Sequence, residues 1–119
     1  KNSRVVIIDK VGILADLYAF SDAAYVGAGF GAGVHSVIEP AVYGNVVSFG
    51  PNIELLDEAK YIYKNDLGRM IKGQQDMINF FDLHKNNVLM KNYSQGIIDY
   101  IFKQKNVSQK IIKFIGENI

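Results

Sequence analysis

The sequence predicts an α/β fold, a parallel sheet flanked by helices, and three observations predict it. Val5-Val6-Ile7-Ile8, Ala23-Ala24-Tyr25-Val26 and Val46-Val47-Ser48-Phe49 are short apolar runs that suit buried strands. The intervals between them carry apolar residues at helical spacing, and a run of alternating glycines follows the second strand directly. Strand, helix, strand, helix, strand is a pattern whose crossovers demand parallel pairing and a right-handed connection.

Taken in order, the first strand is residues 5–8, and the first helix carries Ile13, Leu14, Leu17, Tyr18 and Phe20 on one face. Ser21-Asp22 ends that helix, and Ala23 opens the second strand, which stops at Gly27. Val37, Ile38, Ala41 and Val42 mark the second helix, and Val46 to Phe49 the third strand, closed by Gly50-Pro51. Leu55, Leu56, Ala59, Ile62 and Tyr63 form the stripe of a further helix, with Asp57, Glu58 and Lys60 opposite. Arg69-Met70-Ile71 reads as a short last strand. Three helices follow, through Met77, Phe80, Phe81 and His84, then Ile97, Ile98, Ile101 and Phe102, then Val107, Ile111, Ile112 and Ile115. Asn92-x-x-Gln95 has capping-box spacing, which makes residues 85–91 a loop.

At 119 residues the chain is one domain, with residues 1–51 the β-α-β-α-β core and 52–119 mainly helical cover and tail. Thirteen basic against twelve acidic side chains leave a net charge of +1, without the field of a nucleic-acid binder. The charge is divided unequally, since residues 1–59 hold three basic and seven acidic groups and residues 60–119 ten and five. With no cysteine, disulfides, thiolate nucleophiles and cysteine-held metals are excluded. The longest uncharged stretch, residues 23–38, is shorter than a membrane span and broken by four glycines. The chain begins Lys1-Asn2, with neither initiator Met nor signal peptide, and reads as a fragment of something larger.

Chemistry concentrates in Gly27-Ala28-Gly29-Phe30-Gly31-Ala32-Gly33 and the segment after it. Gly27-x-Gly29-x-x-Ala32 satisfies the Rossmann-like fingerprint, in which glycines let backbone N–H groups approach a pyrophosphate. The acidic residue that should end the next strand is absent, because that position reads Ser48-Phe49-Gly50-Pro51, and this counts against NAD. A turn that needs glycine only for positive φ and close packing stands beside the nucleotide reading. In His35-Ser36-Val37-Ile38-Glu39-Pro40-Ala41, Ser36-x-x-Glu39 has the spacing of a capping box, which would make Glu39 a backbone cap. A helix that starts nearer Glu39 would instead aim this carboxylate at the sheet's C-terminal edge, where it can accept hydrogen bonds from a sugar diol. His35 is a phosphate donor or general acid, or else a turn or capping residue, and Gly12 offers helix N-terminal amides to the same edge or is a plain β-α turn. His84 reads as structural, Tyr61, Tyr63, Phe80 and Phe81 as core, and no cluster has metal spacing.

Ile7-Ile8-Asp9-Lys10-Val11-Gly12-Ile13-Leu14, Leu17-Tyr18, Ser21-Asp22-Ala23-Ala24-Tyr25-Val26-Gly27, the glycine loop, His35 to Ala41 with Gly44, and Phe49-Gly50-Pro51 come in a characteristic order. That order resembles the C-terminal domain of the 3-deoxy-D-manno-octulosonic acid (Kdo) transferases of lipopolysaccharide synthesis, which are GT-B glycosyltransferases. The resemblance is specific from about Arg4 to Pro51 and continues only as pattern. It implies a C-terminal half-domain that holds the CMP part of CMP-Kdo, with no cofactor, and a parent enzyme that transfers the sugar with inversion to the lipid A precursor.

On that resemblance the donor-binding residues are Val11, Gly12, Ile13, Gly31, Gly33, His35, Ser36, Val37, Ile38 and Glu39. Val11-Gly12-Ile13 resembles the family's Met-Gly-Glu turn, and Ser36-Val37-Ile38-Glu39 its Asn-Pro-Leu-Glu segment, whose Glu contacts the nucleotide. Ile13, Ser36 and Val37 depart from the usual Glu, Asn and Pro. The family's catalytic carboxylate and membrane-associating region belong to the N-terminal domain, which places the parent at the cytoplasmic face of the bacterial inner membrane. A fragment of this extent is expected to be soluble and inactive alone. A GT-B enzyme with a UDP-sugar, an NAD-dependent oxidoreductase fragment, and a non-catalytic domain docking its basic half on an anionic surface are the competing readings.

Overall fold

The computed structural model describes residues 4–31, 33 and 36–117. Its elements are α1 (Leu14–Tyr18), β1 (Ala23–Val26), α2 (Ile38–Val42), β2 (Val46–Phe49), α3 (Asp57–Lys64), β3 (Gly68–Met70), α4 (Gln74–Asp82), a 3-10 turn (Leu83–Lys85) and α5 (Asn87–Glu117). The sheet is parallel in the order β1-β2-β3, with Ala24 opposite Val47 and Ser48 opposite Arg69. The predicted α/β architecture is therefore present, built from the two crossovers β1-α2-β2 and β2-α3-β3.

All four residues of β2 are buried, as befits a central strand covered on both faces. Alternation divides them: Val47 and Phe49 join a core with Val37 and Ala41 of the α2 region, Ala59 and Ile62 of α3, and Ile97 and Tyr100 of α5. Val46 joins a second core with Ile71, Phe80, Leu83 and Tyr93. Burial raises the Tyr100 phenol above the ordinary tyrosine value, with smaller contributions from Glu58 and from Tyr61, whose ring stacks on it at 4.2 Å.

A buried polar residue joins the elements at the bottom of the sheet. Asn45, fully buried, donates from Nδ2 to the carbonyls of Tyr18 (3.0 Å) and Pro40 (3.1 Å), and its Oδ1 accepts from Ser21 Oγ (2.6 Å). It fixes the ends of α1 and α2 against the start of β2. Asn45→Ala is expected to cost about 2 kcal/mol, because it strands buried polar groups whose water has already been removed. Urea denaturation measures the loss.

Four sequence expectations are corrected. Residues 5–8 form no strand; Val5, Val6 and Ile7 are 77%, 73% and 87% exposed, and no hydrogen bond joins them to the sheet among the described residues. The predicted loop at residues 85–91 and the break between the last two helices are replaced by the continuous α5. Asn86, rather than Asn92, caps it, its Oδ1 accepting from the Leu89 N–H at 3.0 Å. Phe20 and Leu55, 88% and 93% exposed, fall outside the helices whose apolar faces they were assigned to. Tyr61, Tyr63 and Phe81 are exposed rather than core, and Phe80 is buried as expected. Periodicity reports which residues share a face, whereas the length and partner of that face depend on neighbours distant in sequence.

Candidate functional site

Among the described residues β1 pairs only with β2, which leaves its outer edge free. A cleft of about 460 Å³ runs along this edge, bounded by Leu14, Leu17 and Tyr18 of α1 and by Ala23 through Val26 of β1. Gly27, just past the C-terminal end of the strand, and Ser36 and Glu39 also line it. Parallel sheets bind ligands at this end because the strands' successive loops open there.

The segment that carries Glu39 explains its availability. The α2 helix starts at Ile38 with Val37 as N-cap, and no side chain caps it, so the Ser36-x-x-Glu39 box does not form. Pro40 occupies the third helical position, where an N–H would have no acceptor within the helix, so the proline costs no helix bond. Glu39 is thus exposed in the first turn with its carboxylate unused by the backbone. Burial raises the Tyr18 phenol above the ordinary tyrosine value, and the charge of Glu39 raises it further. The side chains of Tyr18 and Glu39 thus belong to one cleft.

The glycine loop is held by contacts that the pattern alone does not show. Ala28 sits at φ +68, and its carbonyl accepts from the N–H groups of Gly31 (3.2 Å) and Gly33 (2.9 Å). Those two amides are consequently occupied within the loop. Gly29 packs against Gly50 so closely that a Cβ on Gly29 would lie 2.5 Å from the Gly50 backbone. Asn52 completes the attachment: its N–H donates to the Gly29 carbonyl at 2.8 Å and its Nδ2 to the Gly31 carbonyl at 2.7 Å. Sequence reasoning missed Asn52, because an Asn directly after Gly50-Pro51 reads as an ordinary turn residue and its partners lie about twenty residues away in the chain. Asn52→Ala is expected to cost about 1 kcal/mol and to speed amide exchange selectively in residues 29–33. Exchange followed by NMR checks it.

The residues expected at the site are placed as follows. Ser36 and Glu39 line the cleft, whereas Gly31 and Gly33, in the glycine loop, are not among the residues that line it. Val37 is fully buried in the core and Ile38 is half-buried, so Val37 can meet a ligand only through its main chain. Val11 is 98% exposed, Gly12 stands in open space at φ +90, and Ile13 is the N-cap of α1; none of the three lines the cleft. His35 lies outside the described residues. His84 donates from Nδ1 to the Phe81 carbonyl, in keeping with a structural role. Among the described residues no group of three or more His, Asp or Glu side chains is placed to hold a metal, and no helix is long and apolar enough to cross a membrane.

No protein-family model matches the chain. It is similar to a 3-deoxy-D-manno-octulosonic acid transferase of Rickettsia prowazekii, with 27% identity over 98% of this chain and 26% of that protein. It is also similar to a bifunctional glycosyltransferase/methyltransferase of Fusobacterium nucleatum, with 27% identity over 92% of this chain and 17% of the relative. Among solved structures, the C-terminal CMP-Kdo binding domain of WaaA from Acinetobacter baumannii superposes with a TM-score of 0.63 at 17% identity, covering 76% of this chain and 51% of that one. The chain therefore spans about a quarter of the length of the Rickettsia relative, and its α/β fold is the one shared with the WaaA domain.

Proposed function

We propose that this chain is the donor-binding part of a Kdo transferase and holds the CMP moiety of CMP-Kdo in the β1 cleft. The observation that carries the reading is that Gly27, Ser36 and Glu39, whose carboxylate caps no helix, line one cleft beside β1 in a chain similar along nearly all its length to Kdo transferases. Glu39 accepts hydrogen bonds from the ribose hydroxyls, and Ser36 and the adjoining backbone bind the phosphate. In the parent enzyme an acceptor hydroxyl of the lipid A precursor attacks the anomeric carbon, the bond to CMP breaks with inversion, and CMP departs. The proton goes to a base that the rest of the enzyme supplies. The parent works at the cytoplasmic face of the inner membrane, and the chain by itself binds donor without turning it over.

A nicotinamide reading is disfavoured by the end of β2, where Ser48 and Phe49 are both fully buried and no carboxylate is available to a ribose. Titration of the chain with CMP, UMP and NAD in parallel, followed by backbone amide shifts, tests the proposal. CMP-selective shifts at Gly27, Ser36 and Glu39 support it. Shifts with NAD alone overturn it in favour of an oxidoreductase, and equal response to UMP and CMP favours a UDP-sugar donor.

A further inference from the structure

The two helices that contribute to the β1 cleft are fastened in different ways. Leu14, Leu17 and Tyr18 of α1 line it, as does Ser21 in the turn that follows, yet α1 contains no buried residue. Apolar burial therefore contributes little to holding this helix in place. Its backbone bonds, from the N–H groups of Leu17, Phe20 and Ser21 to the carbonyls of Ile13, Leu17 and Tyr18, all close within residues 13–21. Among the described residues, a single hydrogen bond joins α1 to the rest of the molecule, from Asn45 Nδ2 to the Tyr18 carbonyl at 3.0 Å. The helix that carries Glu39 is held more firmly. The Pro40 carbonyl accepts from Asn45 Nδ2 at 3.1 Å and from the Asn45 N–H at 3.3 Å, and Val37 and Ala41 are fully buried.

A carboxamide offers two donors and an acceptor on one short side chain. In Asn45 both donors go to the carbonyls of Tyr18 and Pro40, and Oδ1 accepts from Ser21 Oγ at 2.6 Å. Tyr18 and Ser21 line the cleft, and Pro40 directly follows Glu39, which lines it too. We propose that Asn45 is a positioning residue for the donor site: it holds α1, and with it Tyr18, in place at the cleft that Glu39 lines from α2. Asn45 is fully buried and does not itself line the cleft, so it acts only through these two helices. Without its side chain α1 is released, whereas α2 stays bonded to the Asn45 N–H and packed in the core, and the cleft loses its fixed width. For CMP this role rests on the donor-binding reading; the tie between the helices does not.

The Tyr18 phenol reports on the tie without any ligand. Burial first and the charge of Glu39 second raise its titration, and both weaken if α1 moves away. In Asn45→Ala this titration, followed by NMR of ring-labelled tyrosine, is expected to fall toward the ordinary tyrosine value and to respond less to an added Glu39→Gln. CMP is expected to bind at least tenfold more weakly in calorimetric titration. Ser21→Ala removes one of the three bonds and is expected to move the Tyr18 titration the same way by less, which keeps the test available should Asn45→Ala fail to fold. Leu83→Ala, in the second core and outside the cleft, is the control for general loosening, expected to lower stability while leaving the Tyr18 titration and the CMP affinity unchanged. An unmoved Tyr18 titration in the Asn45 and Ser21 variants overturns the proposal, and so does an equal response in Leu83→Ala. A moved titration with unchanged CMP affinity overturns the positioning role and leaves the donor reading standing. A moved titration in a chain that binds no CMP even unmutated leaves the tie standing and removes the donor reading.

Discussion

Glu39→Gln is expected to weaken CMP binding by roughly 10- to 100-fold while leaving the fold intact. Hydrogen bonds to an ionised acceptor contribute about 1.5–3 kcal/mol each, and every 1.4 kcal/mol is about tenfold in affinity. The amide keeps the size of the side chain and one acceptor oxygen but loses the charge and the second acceptor that a ribose diol requires. Stability is expected to be unmoved, because Glu39 is exposed and neither it nor any other side chain caps α2. Calorimetric titration with CMP beside a thermal melt measures both quantities. An unchanged dissociation constant would remove Glu39 from the donor site. The same variant should lower the Tyr18 titration toward the ordinary tyrosine value, but only in part, since burial is the larger cause of its elevation.

Gly50→Ala is expected to cost about 3 kcal/mol and to abolish donor binding with it. A Cβ on Gly50 would lie 2.6–2.9 Å from the backbone of Gly29, and a main-chain overlap cannot be relieved by changing a rotamer. The loop must therefore lift from the end of β2, which also stretches the Asn52 bonds to Gly29 and Gly31. Gly29→Ala should cost a similar amount for the same reason. The double variant should cost much less than the two added together, because both substitutions break one contact. Urea denaturation of the three variants decides it; full additivity would show that the two glycines are not coupled.

Much of the fold was legible from local pattern. The runs at residues 23–26 and 46–49 are strands as read, and β3 at Gly68–Met70 lies one residue from the expected Arg69-Met70-Ile71. Glycine and proline punctuation marked their ends because these residues change the allowed backbone irrespective of the surroundings. The start of α2 was legible for a similar reason: Pro40 restricts where the helix can begin, and it does begin at Ile38. The length of α5 was not legible, since Asn92 and Gly96 resemble punctuation. Gly96 is accommodated instead because its missing side chain admits Leu67, whose Cδ2 would lie 2.8 Å from a Cβ there. That reason exists only once the two segments have met.

By itself the sequence determined the fold class, the direction of the sheet, the position of the glycine loop and the resemblance to Kdo transferases, because each is written in residues near one another in the chain. Only the tertiary structure decided that the Ser36 and Glu39 box is not made, that Asn52 and the Gly29–Gly50 contact hold the loop, and that residues 5–8 stand apart from the sheet they resemble. Hydrogen-bond partners and strand neighbours are chosen among groups far apart in sequence, by which pairing buries the most apolar surface while leaving the fewest polar groups without a partner. A pattern can say that a segment is fit to be a strand, but whether it is one depends on the edge it meets.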